Sequence, residues 1–177
     1  MKYLLVFFTL CLLFSACEGN TAARKAARGT DYVSAPDRLF FKNTRQRHYA
    51  ADERREDVTV FRHDKLTASD ATLHPVIVDH WLEDRAAIRF DVRTDQEATP
   101  TPRPFRLDLQ RSTGWETLAL TVPPTLEELT RLRTQLSTQQ DIRLVMGLDT
   151  LVAFPGDSRR EAKVVLDDYL RMVDAGL

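Results

Sequence analysis

Ile88, Phe90 and Val92 alternate with Arg89, Asp91 and Arg93, and a run of that period is what a strand with one buried and one polar side requires. Few other local structures accept it. The alternation returns in Phe105, Leu107 and Leu109 against Arg106, Asp108 and Gln110, and again, across Arg111-Ser112-Thr113-Gly114, in Leu118, Leu120 and Val122. This predicts an antiparallel hairpin with one wet face. Val58-Thr59-Val60-Phe61-Arg62 predicts a further strand, Leu66 to Leu73 a polar connection, and Pro75-Val76-Ile77-Val78 a strand that opens on a proline, where a missing N–H is tolerated. Thr94 to Pro104 holds three prolines and is expected as an exposed loop.

The period then changes. After Pro123-Pro124, Thr125 and Glu128 have the spacing of a capping box, and Leu126, Leu129, Leu132 and Leu136 form one apolar stripe, so a surface helix is expected over Thr125 to Gln139. Ser158 with Glu161 repeats the device ahead of Ala162, Val165, Leu166, Tyr169, Leu170 and Val173, with Gly176 as the natural stop. Between the helices, Ile142 to Met146 and Leu151 to Phe154 predict two short strands around Gly147-Leu148-Asp149-Thr150. Strands followed by helix, strand, strand, helix give an α+β fold, with a mostly antiparallel sheet and two helices of the C-terminal half packed on one face.

The first residues carry an address. Lys2 precedes Leu4 to Phe14, which is apolar apart from Thr9, and Ser15-Ala16 places two small residues before Cys17. That is the layout of a secretory leader. A helix over those eleven residues spans about 16 Å against roughly 30 Å of hydrocarbon, too short to cross a bilayer. Leu12-Leu13-Phe14-Ser15-Ala16-Cys17 resembles the lipobox of bacterial lipoproteins, with Phe14 where an aliphatic residue is usual. The resemblance implies diacylglycerol on the Cys17 thiol, cleavage before it, and acylation of the new amino group. Two or more acyl chains hold a protein on a membrane stably, where one holds it only marginally. In such lipoproteins an Asp after the cysteine favours the inner membrane; Glu18 stands here, which makes the outer membrane the expected location.

The expected organisation is a signal peptide over residues 1–16, a flexible tether over 17–36 and one α+β domain over 37–177. Glu18 to Pro36 is rich in Ala, Thr, Gly and charge without apolar periodicity. Its Arg24, Lys25 and Arg28 are solvated, or touch anionic head groups.

Composition narrows the chemistry. The chain has 25 basic and 26 acidic residues; loss of Lys2 with the leader leaves 24 against 26, about minus two, so no nucleic-acid partner is expected. Of the two cysteines, Cys11 leaves with the leader and Cys17 is alkylated, so neither a disulfide nor a thiolate metal site is available. His48, His63, His74 and His80 show no close ligand spacing, and with six glycines there is little material for a phosphate loop. No metal or cofactor is expected.

Three functional classes stay open. The first is a non-catalytic binding or accessory subunit, tied to the membrane by its lipid and engaging an envelope protein partner. Its candidate contact surface is the aromatic and basic run containing Phe40, Phe41, Arg45, Arg47 and Tyr49, together with the Thr94 to Pro104 loop; the same run also reads as a first element docked on the core. The second is an envelope hydrolase using His63, Asp79 and His80, although Asp79 and His80, as strand neighbours, point to opposite faces. The third is a polyanion-binding module using Arg45, Arg47, Arg54 and Arg55. One local feature stands apart: Ser158, Arg159 and Arg160 put two cations in a helix's first turn, where the dipole disfavours them. A bound phosphate or carboxylate would offset that cost, as would pairing with Asp157 or Glu161.

Overall fold

The described residues form ten strands and four short or medium helices in the order β1 (Thr30–Asp31), α1 (Ala35–Phe40), β2 (Tyr49–Arg55), β3 (Val58–His63), α2 (Asp64–Thr67), β4 (Leu73–His80), β5 (Arg85–Thr94), β6 (Glu97–Pro100), β7 (Phe105–Arg111), β8 (Gly114–Leu120), α3 (Leu126–Leu136), β9 (Ile142–Met146), β10 (Asp149–Val152) and α4 (Ser158–Val173). The computed structural model describes residues 29–32, 35–55, 57–94, 97–100, 105–138 and 140–173. Cys17 and residues 1–28 lie outside the described residues.

Among the described residues all strand pairs are antiparallel and form two sheets. One runs β1-β5-β4-β3-β2, with β6 sharing the edge of β5 that β1 occupies at its other end; the second runs β10-β9-β7-β8. They meet where Thr72 and Leu73 donate to the Ala153 carbonyl, at 3.1 and 3.2 Å, while Ala153 donates to Ile142 at 2.9 Å. Phe61, Ile77, Ile88 and Phe90 of the first sheet and Leu107, Leu118, Leu120, Ile142 and Leu144 of the second belong to one core, completed by Leu129 and Leu132 of α3 and Val165, Leu166 and Leu170 of α4. The expected α+β architecture is the observed one.

Local chemistry explains several boundaries. Thr125 Oγ1 accepts from the Glu128 N–H at 3.2 Å and the Glu128 carboxylate accepts from the Thr125 N–H at 2.7 Å, the reciprocal pair its spacing predicts. Gly29 has φ +98°, and a Cβ there would lie 2.0 Å from the Ala86 carbonyl oxygen, so only glycine allows β1 to approach β5.

The structure corrects four boundaries. Thr30–Asp31 pairs with β5 and α1 begins at Ala35, so the domain starts inside the segment expected to be tether. Tyr49–Arg55 is an edge strand on β3; beyond buried Tyr49, its Ala50, Ala51, Asp52 and Glu53 are exposed on both sides, and such an edge needs no apolar alternation. Glu97–Pro100 pairs with β5, so part of the expected Thr94 to Pro104 loop is a strand, an edge strand that ends on its proline. Pro75 is the third residue of β4 rather than its first.

The two faces of the first sheet are both covered. Inward lie Phe61, Leu73, Ile77 and Ile88, facing α4. On the opposite face Val60, Val76 and Ala87 are buried, and so are His74 and Asp91, the latter 0 % exposed. Arg89 holds Asp91 through Nε to Oδ1 at 2.7 Å and Nη2 to Oδ2 at 3.2 Å, and Arg62 Nη2 adds a contact at 3.3 Å. Among the described residues no helix is long and apolar enough to cross a membrane.

Candidate functional site

The end of β3, the turns that follow α1, and the first half of α4 enclose a cleft of about 370 Å³ lined by Arg45, His48, His63, Lys65, Arg160 and Glu161, among others. Each wall comes from a distant part of the chain. After α1 the backbone continues through a wide turn over Phe41–Arg45 and a tight one over Gln46–His48. Phe41 is buried and packs edge-on against Tyr49 and Phe61, with centroids 5.4 and 5.3 Å apart. That anchor turns Arg45 outward onto α4.

Asp168 anchors the Arg45 wall from behind the lining. Tyr49 Oη donates to it at 2.7 Å, and Arg45 Nε donates to both its oxygens at 2.9 and 3.1 Å. Burial, then the Asp168 charge, pushes the Tyr49 phenol far above its ordinary range, so it stays a protonated donor. Asp168 in turn raises the Arg45 guanidinium.

His63 forms the deep wall at 4 % exposure. Its ring meets Tyr49 edge-on at 5.0 Å, its Nε2 lies 3.9 Å from Glu161 Oε2, and its Nδ1 has no hydrogen-bond partner. Burial lowers its pKa below the ordinary value and outweighs the opposing pull of Glu161, so the imidazole is neutral at pH 7. At the rim Arg160 donates to Glu161 Oε1 at 2.9 and 3.1 Å.

Sequence candidates from three separate readings therefore meet here: Arg45 from the aromatic and basic run, His63 from the hydrolase set, and Arg160 from the helix start. Others do not join them. Phe41 and Tyr49 are core residues rather than contact surface, because their rings complete the aromatic cluster under α4. Phe40 is exposed beneath the Arg171 guanidinium, 4.4 Å from its centroid. Arg47 is exposed and donates to His48 Nε2 at 3.4 Å. The side chains of Arg54 and Arg55 lie outside the described residues.

The hydrolase set is divided. Asp79 pairs across from Thr59, which puts it on the same face as His63 but four residues away, about 13 Å along the strand. It accepts from Tyr32 Oη at 2.5 Å, with Lys42 Nζ at 3.9 Å. His80 faces the other side, in a separate apolar cleft of about 280 Å³ with Val78, Phe105, Val122 and Pro123. At the start of α4, Ser158 is buried and donates to the Pro155 carbonyl at 2.6 Å. Arg159 lies 3.5 Å from Asp141 and donates to the Thr138 carbonyl at 3.3 Å. Asp141 and Glu161 thus offset the two cations within the fold.

Asp168 was not singled out by the sequence, Glu161 only as a cap or ion-pair partner at the start of α4, and Lys65 not at all. The first two left a trace: they sit beside the apolar stripe of α4, and a carboxylate there needs a partner from the element packed against it. Among the described residues no three of His, Cys, Asp and Glu gather closely enough to hold a metal. Comparison with protein-family models, with curated proteins and with solved structures gives no match.

Proposed function

We propose that the chain is a lipid-anchored envelope lipoprotein, held at the outer membrane through acyl chains on Cys17, whose domain is a non-catalytic binding or accessory subunit. The lipobox-like run Leu12 to Cys17 supports the anchor. The binding role rests on the composition of the cleft wall. Arg45 and Arg160 are each paired to a carboxylate, His48 and Lys65 stand beside Asp64, and no Ser, Thr or Cys side chain is among the described lining residues. Such a wall offers charges of both signs to a polar partner segment, but no activated nucleophile. Its balance of sign also argues against a polyanion as the ligand.

Mass analysis of the protein from membranes tests the anchor: diacylglycerol and an N-acyl chain are expected on Cys17, and Cys17→Ser should leave the membrane fraction. An unmodified Cys17 refutes it. Crosslinking in cells tests the cleft. A partner captured by the parent protein should be lost with Lys65→Glu and with Arg160→Glu, both at unchanged thermal stability. Hydrolysis of envelope material that disappears with His63→Ala would overturn the non-catalytic reading.

A further inference from the structure

The geometry points to a membrane-seated face made by Leu39, Phe40, Trp81 and Leu82, on which the domain rests against the bilayer that carries its anchor. The inference rests on the lipid-anchored reading above. These side chains are 55, 37, 42 and 63 % exposed, and they come from two segments that the fold clasps together. Arg38, next to Leu39, donates through Nη2 to the Trp81 carbonyl at 3.2 Å and pairs with Asp84 through Nη1. Asp84 takes a left-handed conformation, φ 49°, which closes the turn after Trp81-Leu82-Glu83. Singly scattered apolar side chains are ordinary on a protein surface, whereas a set gathered about one clasp, here Arg38, marks a contact.

The chemistry of the rim favours lipid over water. Arg171 stacks on Phe40 and lies 3.5 Å from Asp37, while Arg38 covers the Tyr32 ring at 4.8 Å and neutralises Asp84. Glu83 also stands at this rim, so the ionised groups come in both signs. Aromatic and long aliphatic side chains bordered by paired charges suit the level of the head groups. Insertion, not attraction to anionic lipid, then carries the binding, and added salt should change it little.

The tether decides which surface the membrane meets. β1 joins β5 at Arg85 and Ala86, directly after the Trp81 turn. Cys17 stands twelve residues before Gly29, a span of at most roughly 40 Å. The domain is held close, with this end leading. Trp81 follows β4 at the end away from the sheet junction, about 26 Å along the strand from Leu73, and the second sheet lies beyond that junction.

The chain holds only two tryptophans, Trp81 and Trp115, so each can be followed alone. Full-length lipidated protein is reconstituted into vesicles of phosphatidylethanolamine and brominated phosphatidylcholine as Trp115→Phe, which reports Trp81, and as Trp81→Phe, which reports Trp115. Strong quenching and a blue shift of Trp81 are expected, with neither for Trp115. Leu39→Glu with Leu82→Glu should abolish the quenching while the protein stays vesicle-bound. Mass analysis of the same samples separates the two ideas. Acylated Cys17 with unquenched Trp81, or with both tryptophans quenched equally, overturns the face and leaves the anchor standing. Unacylated Cys17 removes the anchor and the face with it.

Discussion

In the four-stranded sheet Leu107 and Leu109 enter the core while Asp108 and Gln110 stay half-buried at the surface; in the six-stranded sheet Asp91, between Phe90 and Val92, is itself enclosed, with Arg89 and Arg93 half-buried on either side of it. Both stretches alternate equally well as sequence. They differ in what lies over the second face: Asp108 accepts from exposed Thr117 at 2.9 Å, whereas Asp91 is shut away between Arg62 and Arg89. Period two therefore reports which side chains share a face, and says nothing about whether the polar face is wet. A buried carboxylate has to be matched by charge brought from the next strand, since an ion out of water without a partner is costly.

The largest difference should come from that carboxylate. Asp91→Ala is expected to destabilise by about 3 kcal/mol, the low end for breaking a buried pair because both arginines still reach water. Asp108→Ala should stay within about 0.5 kcal/mol. Urea unfolding of the two variants checks this, and equal losses would erase the distinction between the sheets. Next, Ile77→Ala and Leu144→Ala, one from each sheet, should each cost about 2–5 kcal/mol because they face one core. Two separate unfolding transitions in either variant would mean that the sheets fold apart.

A pH series sharpens the contrast. Burial lowers the pKa of both His63 and His74, and both belong to the first sheet. The unfolded chain takes up their protons first as pH falls below about 6.5, so stability is fullest above that value and declines toward pH 5. His63→Gln with His74→Gln should flatten this slope, measured by denaturant midpoints at each pH; an unchanged slope would place the sensitivity elsewhere. The smallest effect is expected on the open face of the second sheet, where Arg143 lies 4.0 Å over the Trp115 ring. Trp115→Ala should cost about 0.5–1 kcal/mol in the same unfolding assay.

What the sequence displayed was local chemistry. The β7–β8 hairpin, the Thr125–Glu128 cap and the stripe of α4 were legible because each is specified by residues within a few positions of one another. Tyr49–Arg55 was not, since Ala50-Ala51-Asp52-Glu53 on an edge strand has no buried side to announce. Phe41 and Tyr49 were visible as an aromatic pair, but their alternative role as core rings depended on Phe61 and Asp168, brought by two other elements. The cleft was hidden for the same reason. Arg45, His63 and Arg160 each stood out alone, and only the packing of α4 across β3 makes them neighbours.

Asp168 takes hydrogen bonds from residues 119 and 123 positions earlier in the chain. Pairings that distant are slow to form, because a long loop must close before any contact offsets its entropy. The last helix is thus a keystone: until it has been synthesised and laid down, Tyr49 and Arg45 have no acceptor and the aromatic cluster has no lid. A chain interrupted before residue 158 would keep its hairpins and lose its centre.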